Sequence, residues 1–156
     1  MAVTVDIELG YEFSVKARFK DVFDVLSDVP LSASHFPKVE RLVDMGNNTY
    51  RWEMHKVGTA QLSLQTIYAS KYLSNRRQGT VVWTPVKGVG NAQVSGSWKV
   101  SNKKTHTDLV LLIKGQVEAP LPELMKVVVA PMVNSEFEAL VETYIDNLIQ
   151  RFGGEV

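Results

Sequence analysis

Three histidines, His35, His55 and His106, are the side chains here whose ordinary titration falls near neutrality, so proton transfer would look to them first. Zinc sites use close pairs or three- to four-residue helical steps, and these histidines lie far apart in the chain, so no metal site is expected. His55 falls beside Glu53 on a polar strand face and reads as half of a solvated pair. His106 sits by a turn and reads as exposed. His35, next to Phe36 and Pro37, is the histidine candidate for catalysis, with a structural role as its alternative. Thr66 and Tyr68 fall on an apolar strand parity, where a hydroxyl must find a partner in protein, water or ligand. Tyr68 is therefore the second catalytic candidate. Glu53, Glu118, Glu123 and Glu136 have no partner spaced for an acid/base dyad. The chain has no cysteine, which removes thiolate and disulfide chemistry, and no Gly-x-Ser-x-Gly elbow, so hydrolase chemistry has no support.

Recognition of an apolar molecule is the other chemistry within reach. Tyr50, Trp52, Met54, Leu64, Thr66, Tyr68, Trp83 and Trp98 on strands, facing Met125, Val129, Met132 and Val133 on a helix, could line a pocket with adaptable methionine walls. The same side chains could equally fill a solid core, because large aromatics do so routinely.

These residues need a sheet and a helix to hold them. Val3, Val5, Ile7 and Leu9 alternate with polar residues as a half-buried strand, resumed at Phe13 and Val15 after Gly10. Phe19, Val22, Phe23, Val25 and Leu26 then follow helical spacing up to Pro30. A second short helix is expected over 31–36. Turn signals divide the next stretch into six strands, 39–45, 49–57, 60–73, 78–86, 92–101 and 105–117, joined by connections short enough for antiparallel hairpins.

One parity of these strands is apolar: Tyr50/Trp52/Met54, Leu62/Leu64/Thr66/Tyr68, Val81/Trp83, Val94/Gly96/Trp98 and Leu109/Leu111/Ile113. The other is mostly polar, so a single face of the sheet needs a cover. Pro122 suits the first helical position, and from it a helix with apolar residues at three- and four-residue steps, Met125 through Leu148, is expected to run to Gly153-Gly154. Pro131 predicts a kink within it. Around 127–133 the helix is apolar nearly all round, which asks for a loop, a second subunit or a ligand entrance on the outer side. A homodimer is one way to satisfy that.

At 156 residues, 45% hydrophobic and 22% charged, the chain is long enough for one core, and one domain over 1–156 is expected. Lys and Arg balance Asp and Glu at seventeen each, which gives no net field for a polyanion, and no nucleic-acid partner is expected. Asp6, Glu8 and Glu12 interrupt the N-terminus where a signal peptide is unbroken and apolar, and no run reaches the length of a membrane span. A cytoplasmic chain is the default expectation. Nothing in the pattern calls for a cofactor.

The order strand, helix, helix, six strands, long helix is the helix-grip arrangement, and the sequence resembles the SRPBCC superfamily. That superfamily includes START domains, birch-pollen-allergen proteins and polyketide cyclase/dehydrase-like proteins. The residues that carry the resemblance are Ala17 to Val29 after the first strand, His35-Phe36-Pro37 with Val39, Gly96-Ser97-Trp98 and the closing helix. The small branches that resemble cyclase/dehydrases and a subunit of carbon monoxide dehydrogenase are nearest in character. The resemblance implies an α+β fold, a seven-stranded curved antiparallel sheet wrapped around a long C-terminal helix, with two short helices after the first strand. It also implies a cavity for a hydrophobic small molecule such as a lipid, isoprenoid or polyketide. The Gly46-Asn47-Asn48 turn holds one glycine, unlike the glycine-rich loop of the birch-pollen type. Three readings follow: a binding or transport protein, a cyclase or dehydratase using the same cavity, and an accessory subunit with a solid interior.

Overall fold

The computed structural model describes residues 3–58 and 63–156. Strand β1 (Val3–Val15) is followed by helices α1 (Phe19–Leu26) and α2 (Val29–Ala33). Strands β2 (Val39–Gly46), β3 (Thr49–Met54), β4 (Val57–Gly58), β5 (Ser63–Leu64), β6 (Ile67–Asn75), β7 (Thr80–Pro85), β8 (Ala92–Asn102) and β9 (Thr107–Ala119) come next. A single 3-10 turn (Glu123–Met125) leads into α3 (Lys126–Arg151). Among the described residues seven strands form one antiparallel sheet in the order β1-β9-β8-β7-β6-β3-β2, while β4 and β5 pair only with each other. The α+β helix-grip architecture expected from the sequence is the one observed.

Several boundaries differ, each for a local reason. The segment expected as one strand over 60–73 is two: Leu64 pairs with Val57, and the main-sheet strand begins at Ile67. Leu62 and the start of that segment lie outside the described residues. The strand expected to reach residue 57 ends at Met54, because the next amide, that of His55, turns away to the Lys38 carbonyl at 2.9 Å. Gly10 does not interrupt β1, whose partners on β9 run without a break from Val3 to Val15. The second short helix lies two residues earlier than expected, since Asp28 caps it by accepting a bond from the Leu31 amide at 3.2 Å and Pro30 suits its first turn. Pro122 starts the 3-10 turn instead of the α-helix, and α3 runs unbroken through Pro131.

The apolar parity is the buried one. Val5, Trp52, Tyr68, Val81, Trp83, Val94, Trp98, Leu109 and Leu111 point to the concave side, and α3 lies across it, packed chiefly along β1. Val129, Val133, Leu140, Val141, Tyr144, Ile145 and Leu148 form the buried stripe of α3. At about 1.5 Å per residue its 26 residues span about 39 Å. Gly153 and Gly154, at φ 84° and 107°, end it in the left-handed region that favours glycine, and the chain then bonds back to the β1 corner through the Ala17 amide and the Phe152 carbonyl. The 3-10 turn and the first turn of α3 carry apolar groups that no described residue covers: Leu124 is 91% and Val127 83% exposed.

Candidate functional site

Sheet curvature and the two short helices leave a cavity of about 70 Å³ between the concave face and α3. Its floor is Trp83, Val94, Trp98 and Leu111; one wall is Trp52, Tyr68 and Tyr72; Ser32, Ala33 and Phe36 of the α2 region form another; Phe137, Val141 and Tyr144 are its roof. The aromatic rings support one another. Trp52 stacks on Tyr68 with centroids 5.8 Å apart, and Phe36 bridges Trp52 at 5.7 Å and Tyr144 at 5.0 Å. Gly96 makes room on the floor: a Cβ there would stand 2.5 Å from Cζ2 of Trp83, its cross-strand partner. Without that side chain the indole can lie down against the strand and leave the space above it empty.

Polar side-chain groups among the lining residues are few and uncharged: the hydroxyls of Ser32, Tyr68, Tyr72 and Tyr144 and the indole N–H groups of Trp52, Trp83 and Trp98. Tyr144 Oη and Ser32 Oγ are 2.5 Å apart and use one of their two hydrogens on each other. Tyr72 Oη accepts the Trp52 indole N–H at 2.9 Å, which leaves its own hydrogen uncommitted to that bond. Tyr68 is buried and makes no side-chain hydrogen bond among the described residues. Burial pushes the Tyr144 phenol up to about 12, with the Ser32 hydroxyl partly offsetting it. Burial likewise drives Tyr72 up, against the Trp52 N–H, and holds Tyr68 well above its ordinary range, where the neighbouring phenols add to the effect. All three phenols are neutral donors at physiological pH. Among the described lining residues there is no Asp, Glu, Lys, Arg or His. The cavity can therefore donate hydrogen bonds to acceptor oxygens on a neutral molecule, and it offers no counter-charge to an ion.

The expected ligand-lining residues divide into four groups. Trp52, Tyr68, Trp83 and Trp98 line this cavity. Met54, Leu64, Thr66 and Val133 line a separate void of about 10 Å³. Tyr50 stands in an outer notch, ring edge toward Tyr72 at 6.0 Å, on the far side of Val29, Tyr72 and Val81 from the cavity. Met125, Val129 and Met132 line neither space, because the cavity sits under the second half of α3, near Phe137 and Tyr144.

His35, the histidine candidate for catalysis, lies outside the cavity, its Nδ1 2.9 Å from the Leu31 carbonyl and its own carbonyl accepting from Asn147 Nδ2 at 2.9 Å. Glu53 does not pair with His55. Its carboxylate meets Arg41 at 3.1 Å and stands 3.2 Å from Arg51 Nε, whose N–H is not aimed at it. His106 is half-buried, its Nε2 2.9 Å from Asp108. Ser32, Phe36, Tyr72, Phe137 and Tyr144 are among the cavity residues missing from the expected site, as are Val94, Leu111 and Val141. Tyr72 was recoverable, since it continues the inward parity of Tyr68. Phe137 and Tyr144 were in the apolar stripe of α3 and lacked only a reason to prefer that part of the stripe. Ser32 has no sequence signal.

No family model matches the sequence, and no curated protein matches it. Solved structures do match, over nearly the whole chain. The ZhuI aromatase/cyclase of Streptomyces sp. R1128 aligns at a TM-score of 0.68 and 14% identity, covering 95% of this chain and 94% of that one. A START superfamily protein from Mycobacterium smegmatis aligns at 0.64 and 14%, covering 94% and 97%. The fold is START-like. TTHA0849 of Thermus thermophilus shares this START-like fold at 0.67 and 15% identity, covering 93% and 96%. At such identities the likeness concerns the fold, and the contents of the cavity are this chain's own. Among the described residues no helix of the START-like domain is long and apolar enough to cross a membrane.

Proposed function

We propose that this START-like domain binds or carries a neutral, mainly apolar small molecule, lipid-, isoprenoid- or polyketide-like, held between the sheet and α3. The observation that carries this reading is an aromatic cavity with three phenols, at least two with a free hydrogen, and no ionised lining group among the described residues. Rings supply area at little entropic cost, and the phenols orient a ligand by donating to its carbonyl or hydroxyl oxygens. About 70 Å³ is less than half of the ~150 Å³ known to admit benzene, so binding requires the roof or the α2 wall to move outward.

An enzymatic reading, cyclase or dehydratase, uses the same space with Tyr68 as a proton donor to a developing oxyanion. It is supported by the buried Tyr68 hydroxyl, which makes no side-chain hydrogen bond among the described residues, and by the fold shared with an aromatase/cyclase. Among the described lining residues none is poised to remove a proton near pH 7, which favours binding over turnover. An accessory subunit with a solid interior is disfavoured by the cavity itself. A homodimer through the uncovered first turns of α3 is compatible with either leading reading.

Native mass spectrometry of the purified protein, followed by organic extraction, tests the proposal. A discrete neutral apolar molecule that leaves with the protein is the expected result. An empty protein that also fails to bind a panel of neutral lipids, isoprenoids and aromatic ketones overturns it.

A further inference from the structure

The cavity and the smaller void beside it share one wall, the ring of Phe137. Beyond that ring the void is bounded by Met54, Leu64, Thr66, Val133 and Leu140, and its rim is formed by His55 and by Lys38, whose Nζ lies 3.9 Å from Glu136. The polar groups of this lining are the Thr66 hydroxyl and the rim of Lys38, Glu136 and His55; the other walls are apolar. An exposed ion pair of that length contributes little and opens easily.

Phe137 is half-buried although Val133, Leu140 and Val141 around it are buried. A ring with unfilled space on both sides forgoes dispersion contacts that a packed core residue would make, and it has room to turn. Displacing it would join the two spaces into one channel beneath α3, from the Trp98 floor to the Lys38–Glu136 rim. Met54 gives the far wall a side chain that can reshape around a guest.

We propose that Phe137 is a movable partition and that the void beyond it is a second subsite, which takes an apolar chain attached to the ring system held in the aromatic cavity. This rests on the ligand-binding reading and adds the shape of the ligand: a neutral ring with an acceptor oxygen and an unbranched tail. With the partition in place the domain selects short-tailed molecules; with it displaced, long-tailed ones.

The test compares two neutral ketones, 2-acetylnaphthalene and its ten-carbon-acyl homologue, by quenching of tryptophan fluorescence. Phe137→Ala is expected to raise the preference for the long homologue over the short ketone at least tenfold relative to the unsubstituted protein. Phe137→Leu, a smaller disturbance, is expected to act in the same direction, so a poorly folded alanine variant leaves the test intact. Val133→Ile fills the second void from its other wall and is expected to weaken the long homologue alone. If both ketones respond equally to the Phe137 substitutions, the partition and its subsite are overturned. If the unsubstituted protein binds neither ketone, the ring-with-tail ligand and its subsite are overturned, while the extraction and ligand panel decide the ligand-binding reading separately.

Discussion

The hydroxyls of Ser32 and Tyr144, 112 residues apart in the chain, meet at 2.5 Å and join the second short helix to the closing helix across the cavity. Both side chains are buried, so removing either partner costs the other this bond, although Tyr144 keeps the Trp98 indole as a neighbour. Ser32→Ala and Tyr144→Phe are each expected to lower stability by about 1–3 kcal/mol in guanidinium denaturation. The double variant should lose less than the sum, since the second change removes the orphan left by the first. Strict additivity would mean the pair is not coupled.

Raised phenol pKa values make stability depend on alkaline pH. Tyr144 ionises near 10 when unfolded and at about 12 when folded, so the unfolded chain gives up its proton first as pH rises. The stabilising contribution is complete below pH ~10 and is lost as pH climbs through about 12, with Tyr68 and Tyr72 acting in the same direction. Denaturation midpoints should therefore hold steady up to about pH 9.5 and fall beyond pH ~10. In a phenolate absorbance titration, three of the five tyrosines should ionise only with unfolding. Smooth titration of all five in the folded protein would contradict the buried placement.

Gly96→Ala is expected to act on the cavity through a neighbour. The new Cβ would meet both Trp83 and the Leu112 carbonyl at 2.5 Å, so the indole must lift off the floor into the empty space. A loss of about 1–3 kcal/mol is expected, as for overpacking, with a shifted tryptophan emission maximum. Unchanged emission and stability would show that the floor tolerates a methyl group.

Tyr68→Phe removes a buried hydroxyl donor and keeps the ring that stacks on Trp52. Binding of 2-acetylnaphthalene should weaken by about three- to tenfold, the worth of one net hydrogen bond, while naphthalene itself should bind as before. Equal loss for both compounds would place the effect in packing. Under the enzymatic reading the same variant would keep binding a substrate and lose its turnover.

The strand parities were legible because the side-chain period of a strand is two: Trp52, Tyr68, Trp83 and Trp98 announce their face by alternation alone. The helix was legible as a stripe, yet a stripe does not say which of its turns covers a hollow. Met125 and Met132 are on the part that reaches past the cavity, while Phe137 and Tyr144 are over it. That choice depends on where β1 and the α2 region place the helix, which is tertiary information. His55 escaped its expected pairing for a similar reason, since β3 ends one residue before it and alternation no longer applies. Ser32 could not be found at all, because its role exists only through Tyr144.

Empty space also makes the domain sensitive to compression. A void of about 70 Å³ per molecule amounts to about 40 mL/mol, comparable with the whole volume decrease on which pressure unfolding of a small domain depends. Water that floods the unfolded chain reclaims that volume, so hydrostatic pressure should unfold the vacant protein readily. A guest that fills the chamber without expanding it would remove much of this advantage and move the transition to higher pressure.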